Sequence, residues 1–514
     1  MISTRVIRGL GVIIAYLITF NSALGQNRDS YIFPDPAHRI VLAVQDSCAD
    51  SILCGRVLPE SNPTGGYILA QLQFPYHQSV IAISQGLRNF VGDSSGPNLL
   101  FLSGNEGGYP RMGLILDDGT ARHFYPHINF VDLVLNEERL KDGALSIYSH
   151  ELGHVMMSII GLDFPFSPDT KQHVSMGVTD YTIAFMEGWG EHFQRLAYDN
   201  VELYHAQFDS KFQPGKIFNR LWHSNLDEEL RILNVSSNGY IYRKLLPEVD
   251  TAGMSLAQLI YLEHTSPIFD PCRLKSAQAM LSCEGVLATL FYRFDTDSLL
   301  TNNYREKAFY DHFLLKPLPE SIDVKSVFSP LENVLLKNAY VWSRMKGHIN
   351  DSTAPIVEFV KTWGEIFPDE KKKIVSLFLL TTVGKTVNDN VGRIYEETAY
   401  SGMIGNINKY RELASQFMTA FSALRDSVLD GQLVLDANIG PQLWVENKDF
   451  LIPQTIFFPE PTAPLNVNLN TASVFELAAL KGMSMESAAK LITERDRRVF
   501  FKSLDEVKSL GFGL

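Results

Sequence analysis

Apolar positions recur with three different rhythms along this chain of 514 residues. Between residues 26 and 143, short apolar runs alternate with turn formers. Arg39–Val44, Tyr67–Ala70, Asn98–Leu102 and Met112–Leu116 are separated by pieces such as Asn62-Pro-Thr-Gly-Gly66 and Asp117-Asp-Gly119. That alternation predicts a mainly β lobe. A further run, Asn129–Asn136, predicts a strand that leads into Ala144–Ile160. The latter is apolar on nearly every side and predicts a buried helix, with Asp142 placed to cap it and Gly161 to stop it. Asp180–Ala197 predicts a second helix capped by Asp180. From about 200 to 450 the rhythm is mostly helical, and Ser255–Leu262, Gly285–Tyr292 and Ile374–Leu380 are candidate buried faces. Pro453, Pro459, Pro461 and Pro464 interrupt any helix and predict a linker over 452–466. Beyond it, Asn468–Arg495 predicts two short helices around a turn at Lys481–Ser484, the first capped by Asn470 or Thr471.

The N-terminus carries Arg5 and Arg8, an uncharged run from Leu10 to Phe20, and then Ala23-Leu-Gly25. Basic, apolar and small-residue regions in that order predict a secretory signal peptide over 1–25, with an uncleaved anchor as the alternative. The apolar run is shorter than the roughly 20 residues of an ordinary membrane span. The expected location is therefore secreted or periplasmic. A hydrophobic content of 45% with 20% charged residues describes a globular protein with ample core, and a net charge of −13 argues against general nucleic-acid binding. Four cysteines, Cys48, Cys54, Cys272 and Cys283, predict disulfides in an exported chain. Short loops favour Cys48–Cys54 and Cys272–Cys283, with free buried thiols as the alternative.

The candidate chemistry lies in Ser149-His-Glu-Leu-Gly-His154. His150 and His154 are one helical turn apart, so both imidazoles leave the same face. Two neutral nitrogens so placed can hold one zinc ion at about 2.0–2.1 Å. Glu151 stands beside the first ligand, where it can take a proton from a zinc-bound water without ligating the metal. The bland alternative is a pair of buried histidines satisfied by backbone carbonyls.

Downstream, Met186-Glu-Gly-Trp-Gly-Glu191 resembles the Asn-Glu-Gly-Phe-Ala segment of the gluzincin zinc metallopeptidases, the thermolysin and aminopeptidase N type. The resemblance implies Glu187 as third zinc ligand and Glu191, one turn later, as a carboxylate that orients a ligand histidine. It also implies a helical lobe after the zinc site and a Tyr or His that stabilises the transition state. Tyr240, Tyr242, His223 and His264 are candidates among which the sequence does not choose. Two features depart from the family: 32 residues separate His154 from Glu187, and no Gly-x-Met-Glu-Asn signature precedes the helix.

The last 50 residues resemble the helix-hairpin-helix domain of competence-type exported DNA-binding proteins, through Leu469-Asn-Thr-Ala472 and Phe501-Lys-Ser-Leu-Asp-Glu506. In that family the hairpin's backbone amides meet a DNA phosphate, which here implies Gly482, Met483 and Ser484. Ser484 stands where a second glycine is usual, and Lys481 where proline is common. Residues 465–514 hold seven Lys/Arg against six Asp/Glu, so any DNA affinity should be weak and salt-sensitive.

These readings predict an α+β protein: a zincin-like catalytic core with a mixed β lobe and a largely helical lobe, plus a small all-α helix-hairpin-helix domain. The expected organisation is a signal peptide over 1–25, the N-terminal lobe over 26–143 and the metallopeptidase core with its helical lobe over 144–451. A linker over 452–466 would then make the module over 467–514 separable. The expected function is exported, zinc-dependent hydrolysis of peptide or protein substrates. The alternative is an exported DNA-binding or adaptor protein on an inactive peptidase-like scaffold.

Overall fold

The computed structural model describes residues 28–36, 39–47, 52–59, 61–93, 96–105, 107–134, 145–211, 223–244, 252–265, 269–350, 353–453 and 462–512. It has a mixed α+β architecture that divides into two compact units. The expected signal peptide, Asp142 and Cys48 lie outside the described residues. No helix among the described residues is long and apolar enough to cross a membrane.

The first unit comprises residues up to 161, with 199–207 and 295–343. Its centre is a five-stranded barrel of β1 (Val41–Gln45), β2 (Cys54–Val57), β3 (Leu99–Ser103), β4 (Gly108–Asp117) and β5 (Arg122–Val134). The strands close in the order β1-β2-β4-β5-β3, with antiparallel β1–β2 and β4–β5 pairs and parallel β2–β4, β3–β5 and β1–β3 pairs. Alternate side chains fill it: Ala43, Leu99, Phe101, Leu114, Leu116, Ile128 and Phe130.

Two helices make this lobe mixed, not mainly β. Tyr67–Ala70, expected as a strand, lies in the helix Pro63–Gln71. Asn62 accepts from the amides of Thr64 and Gly65 at 3.0 and 3.1 Å, and Pro63 takes the first helical position. The Asn-Pro piece that reads as a turn is thus a helix start. The longer helix Pro75–Val91 buries most of its length and seats Phe90 on Phe313 at 5.0 Å.

Within that helix His77 is fully buried. Its Nδ1 lies 2.9 Å from the Gln71 carbonyl and its Nε2 3.2 Å from the Tyr204 hydroxyl. Nδ1 must therefore donate, and Nε2 accepts from Tyr204. Burial pulls the imidazole down to about 4. A depressed pKa means the fold holds the neutral ring, so this stability is present above pH 6.5 and is lost as pH falls through 4. We expect acidification from pH 7 to 4 to cost about 3 kcal/mol through this residue. His77→Gln should flatten that part of the pH–stability curve in thermal melts. An unchanged slope would refute the assignment.

The second unit comprises 162–198, 208–294 and 344–514. The helix Tyr181–Asn200 buries Phe185, Trp189 and Phe193, and Phe291 and Phe359 join this aromatic core. Asp180 caps the helix as expected, accepting from Thr182 and Ile183 at 2.8 Å each. A small sheet pairs β6 (Tyr242–Lys244) with β7 (Phe269–Leu274). The expected Cys272–Cys283 disulfide is absent. Cys283 faces the core at Ser175, whereas Cys272 sits beside Met403, and both are free thiols. Cys54 is disulfide-bonded.

The expected linker is also corrected. Its described ends belong to an antiparallel pair, β8 (Trp444–Pro453) and β9 (Thr462–Asn468). A two-stranded ribbon leaves one side of each strand free, which tolerates Pro453 and Pro464. The C-terminal module is not separable from this pair. Leu477, Leu480, Leu491, Phe501 and Val507 of the module share one core with Ile452, Leu465 and Val467 of the ribbon and with Ile260. Neither Asn470 nor Thr471 caps the first helix, Val474–Ala478. Ser473 does, in a capping box with Glu476. Asn470 instead ties chain segments together: its amide donates to Pro441 and Phe501, and its carbonyl accepts from the Phe501 amide at 2.7 Å.

Candidate metal centre

His150 and His154 lie on the helix Ser146–Ile160 of the first unit. Its N-cap position is Leu145, with no side-chain cap, and Gly161 ends it in the left-handed region at φ 68°. Tyr148, Leu152, Val155, Met156 and Ile160 are buried, as a helix apolar on all sides requires. His150 is 7% exposed, and its Nε2 lies 3.1 Å from that of His154. Two imidazole nitrogens at this distance either share a proton or share a cation. Bonds of about 2.05 Å from each to one zinc would subtend roughly 100°, inside the tetrahedral range.

Glu151 is buried on the same helix, and β4 runs directly over it. A Cβ on Gly108 would lie 2.8 Å from the Glu151 Cγ and 2.7 Å from Ile147. Only glycine lets the strand approach the carboxylate so closely. Across β4, Gly108–Arg111 pair with Phe130–Leu133 of β5, while β2 pairs only with Ile115–Asp117.

Glu187 and Glu191 lie on the helix Tyr181–Asn200 of the second unit. Gly188 lets this helix meet Glu284–Thr296 at close range, since a Cβ there would lie 2.6 Å from that of Leu287. The Glu187 side chain is 18% exposed and lies 3.8 Å from Nδ1 of His173, which is 3.5 Å from Glu284. The two carboxylates, Glu187 first, push the His173 imidazole up to about 10. Its side chain is 56% exposed, so solvent moderates that effect. Glu191 is fully buried, accepts from the Ser175 hydroxyl and pairs with Arg231 at 3.3 Å.

His150 and His154 of the first unit offer two imidazole donors, and Glu187 of the second offers a carboxylate. Two imidazoles and a carboxylate suit several divalent metals, so the donor set alone does not select zinc.

The residues considered as transition-state donors hold packing positions in the second unit. Tyr240 is buried, with its ring against Gly285. The Tyr242 hydroxyl meets that of Tyr395 at 3.2 Å, and His264 contacts the Gln172 carbonyl. The side chain of His223 lies outside the described residues. His173 belongs to no sequence motif, and its place in the long gap between His154 and Glu187 is the signal that points to it.

In the C-terminal module, Gly482 takes φ 80° in the expected turn and is exposed. Met483 is buried in the shared core, and Ser484 caps the helix Met485–Arg498 through the Ser487 amide at 3.1 Å. Compared with protein-family models, curated proteins and solved structures, the chain matches none.

Proposed function

We propose that this chain is an exported zinc metallopeptidase of the gluzincin type, acting on peptides or proteins. The observation that carries this reading is the 3.1 Å separation of the His150 and His154 Nε2 atoms beside the buried Glu151 carboxylate. His150, His154 and Glu187 would hold the metal. Bound there, zinc lowers the pKa of a coordinated water to about 7 and polarises a carbonyl oxygen.

The chain's own residues account for the rest. Glu151 accepts the proton of the attacking water and later delivers it to the leaving amine. Glu191 serves the architecture, since its charge is engaged by Arg231 and Ser175 inside the second unit.

Metal content tests the reading. The purified chain should carry about one zinc per molecule and cleave an unstructured protein such as casein. A chelator should abolish cleavage and added zinc should restore it. His150→Ala and His154→Ala should each lose the metal. Full zinc retention in the double variant would place the metal elsewhere.

A further inference from the structure

The second unit carries an apolar tip that the proposed hydrolysis does not use. Helices Asp389–Met403 and Ile407–Leu429 form a hairpin joined at Ile404–Asn406. At its end Tyr400, Met403, Ile404, Ile407 and Tyr410 are 53, 59, 55, 53 and 43% exposed. Soluble surfaces scatter such residues singly, and a cluster marks a contact site.

The tip is built, not frayed. Gly405 takes φ 72°, and the amides of Ile404, Gly405, Asn406 and Ile407 donate to the carbonyls of Tyr400, Gly402, Ser401 and Gly405 at 2.9–3.1 Å. Asn406 accepts from the Lys409 amide at 3.2 Å, and the Tyr410 ring lies against Gly402. These main-chain donors are satisfied within the turn, as entry into a poorly hydrated medium demands.

We infer that this tip seats in the interfacial layer of a lipid bilayer. Two further features select that occupant. Five large side chains about half exposed present roughly 500 Å², short of the about 800 Å² per partner of a stable protein interface. The chain from Thr398 to Arg411 contains Lys409 and Arg411 but no Asp or Glu, so these cations lie nearer the apolar end than the acids Glu396, Glu397 and Glu412 that flank it. Lys409 also reaches Glu412 at 3.2 Å, at the base of the tip. Apolar residues between two tyrosines match the order of apolar layer and interface, where tyrosine rings prefer to sit. The contact is peripheral, an insertion of one helical turn.

Sedimentation with vesicles tests this. Residues 26–514, the expected exported form, should pellet with vesicles of equal phosphatidylglycerol and phosphatidylcholine. Ile404→Ser with Ile407→Ser should weaken that partition about tenfold or more, with an unchanged thermal melt and casein cleavage. Tyr400→Ser with Met403→Ser, a second pair on the facing helix, should act likewise and guards against a local folding defect. Wild-type protein that stays in the supernatant, or variants that pellet equally, would overturn the inference. A wild-type dimer that both variants break would assign the tip to a second copy and overturn it as well.

Discussion

Glu151→Gln should keep zinc and fold while lowering peptide hydrolysis by about 10²–10⁴-fold, the range that general-base catalysis contributes. The substitution preserves size beneath Gly108, whose close approach leaves no room for a larger side chain. It removes the one carboxylate on the His150 helix that can take the water's proton. Glu187→Gln should behave differently and lose the metal, because a neutral amide is a poor zinc ligand. Glu191→Gln should keep the metal and lose stability, because it leaves the Arg231 guanidinium beside a buried neutral amide. Zinc content, casein cleavage and thermal melts of the three variants separate these roles. Zinc lost from the Glu191 variant but kept in the Glu187 variant would move the third ligand by one helical turn. Unimpaired cleavage by the Glu151 variant would remove the proposed base.

The helix that carries His150 and His154 was legible because its evidence is local. A four-residue spacing fixes two imidazoles on one face, and Gly161 stops the helix where the left-handed conformation is needed. Asp180 was legible as a cap for the same reason. What the sequence hid depends on register and contact across the chain. The position of Gly108 over Glu151 follows from how β4 pairs with β5, and no local pattern encodes that pairing. Tyr67–Ala70 was misread because four apolar residues satisfy a strand or a helix equally, and the Asn62 cap decides. His173 acquires meaning only through Glu187 and Glu284. Cys272 and Cys283 are close in sequence, but strand β7 and the buried turn before Glu284 point them at different neighbours.

Removing residues 465–514 should unfold the second unit, contrary to what a proline-rich linker suggests. The cut deletes most of β9, so β8 loses its only described partner. It exposes Ile260 and Ile452, which are 2 and 3% exposed in the intact core. It also takes from Lys171, 8% exposed, its nearer partner Glu476 at 2.8 Å and leaves it Asp169 at 3.7 Å. A buried charge reduced to its more distant partner loses less than the about 3–5 kcal/mol of a fully unpaired one, yet still a noticeable part of a typical stability of about 5–15 kcal/mol. Two smaller ties go with it: the Asn466 amide on the Pro168 carbonyl and the Phe500 ring against Gly440. The single change Glu476→Ala samples the same interface, since it removes both the Lys171 partner and the capping box. It should lower stability by about 1–3 kcal/mol. Lys171→Met with Glu476→Leu should not recover that loss, because it leaves the fully buried Asp169 carboxylate without its ammonium partner. Denaturant melts and limited proteolysis of the four proteins give the answer. A truncated chain that melts at the wild-type midpoint would show that the module is an appendage after all.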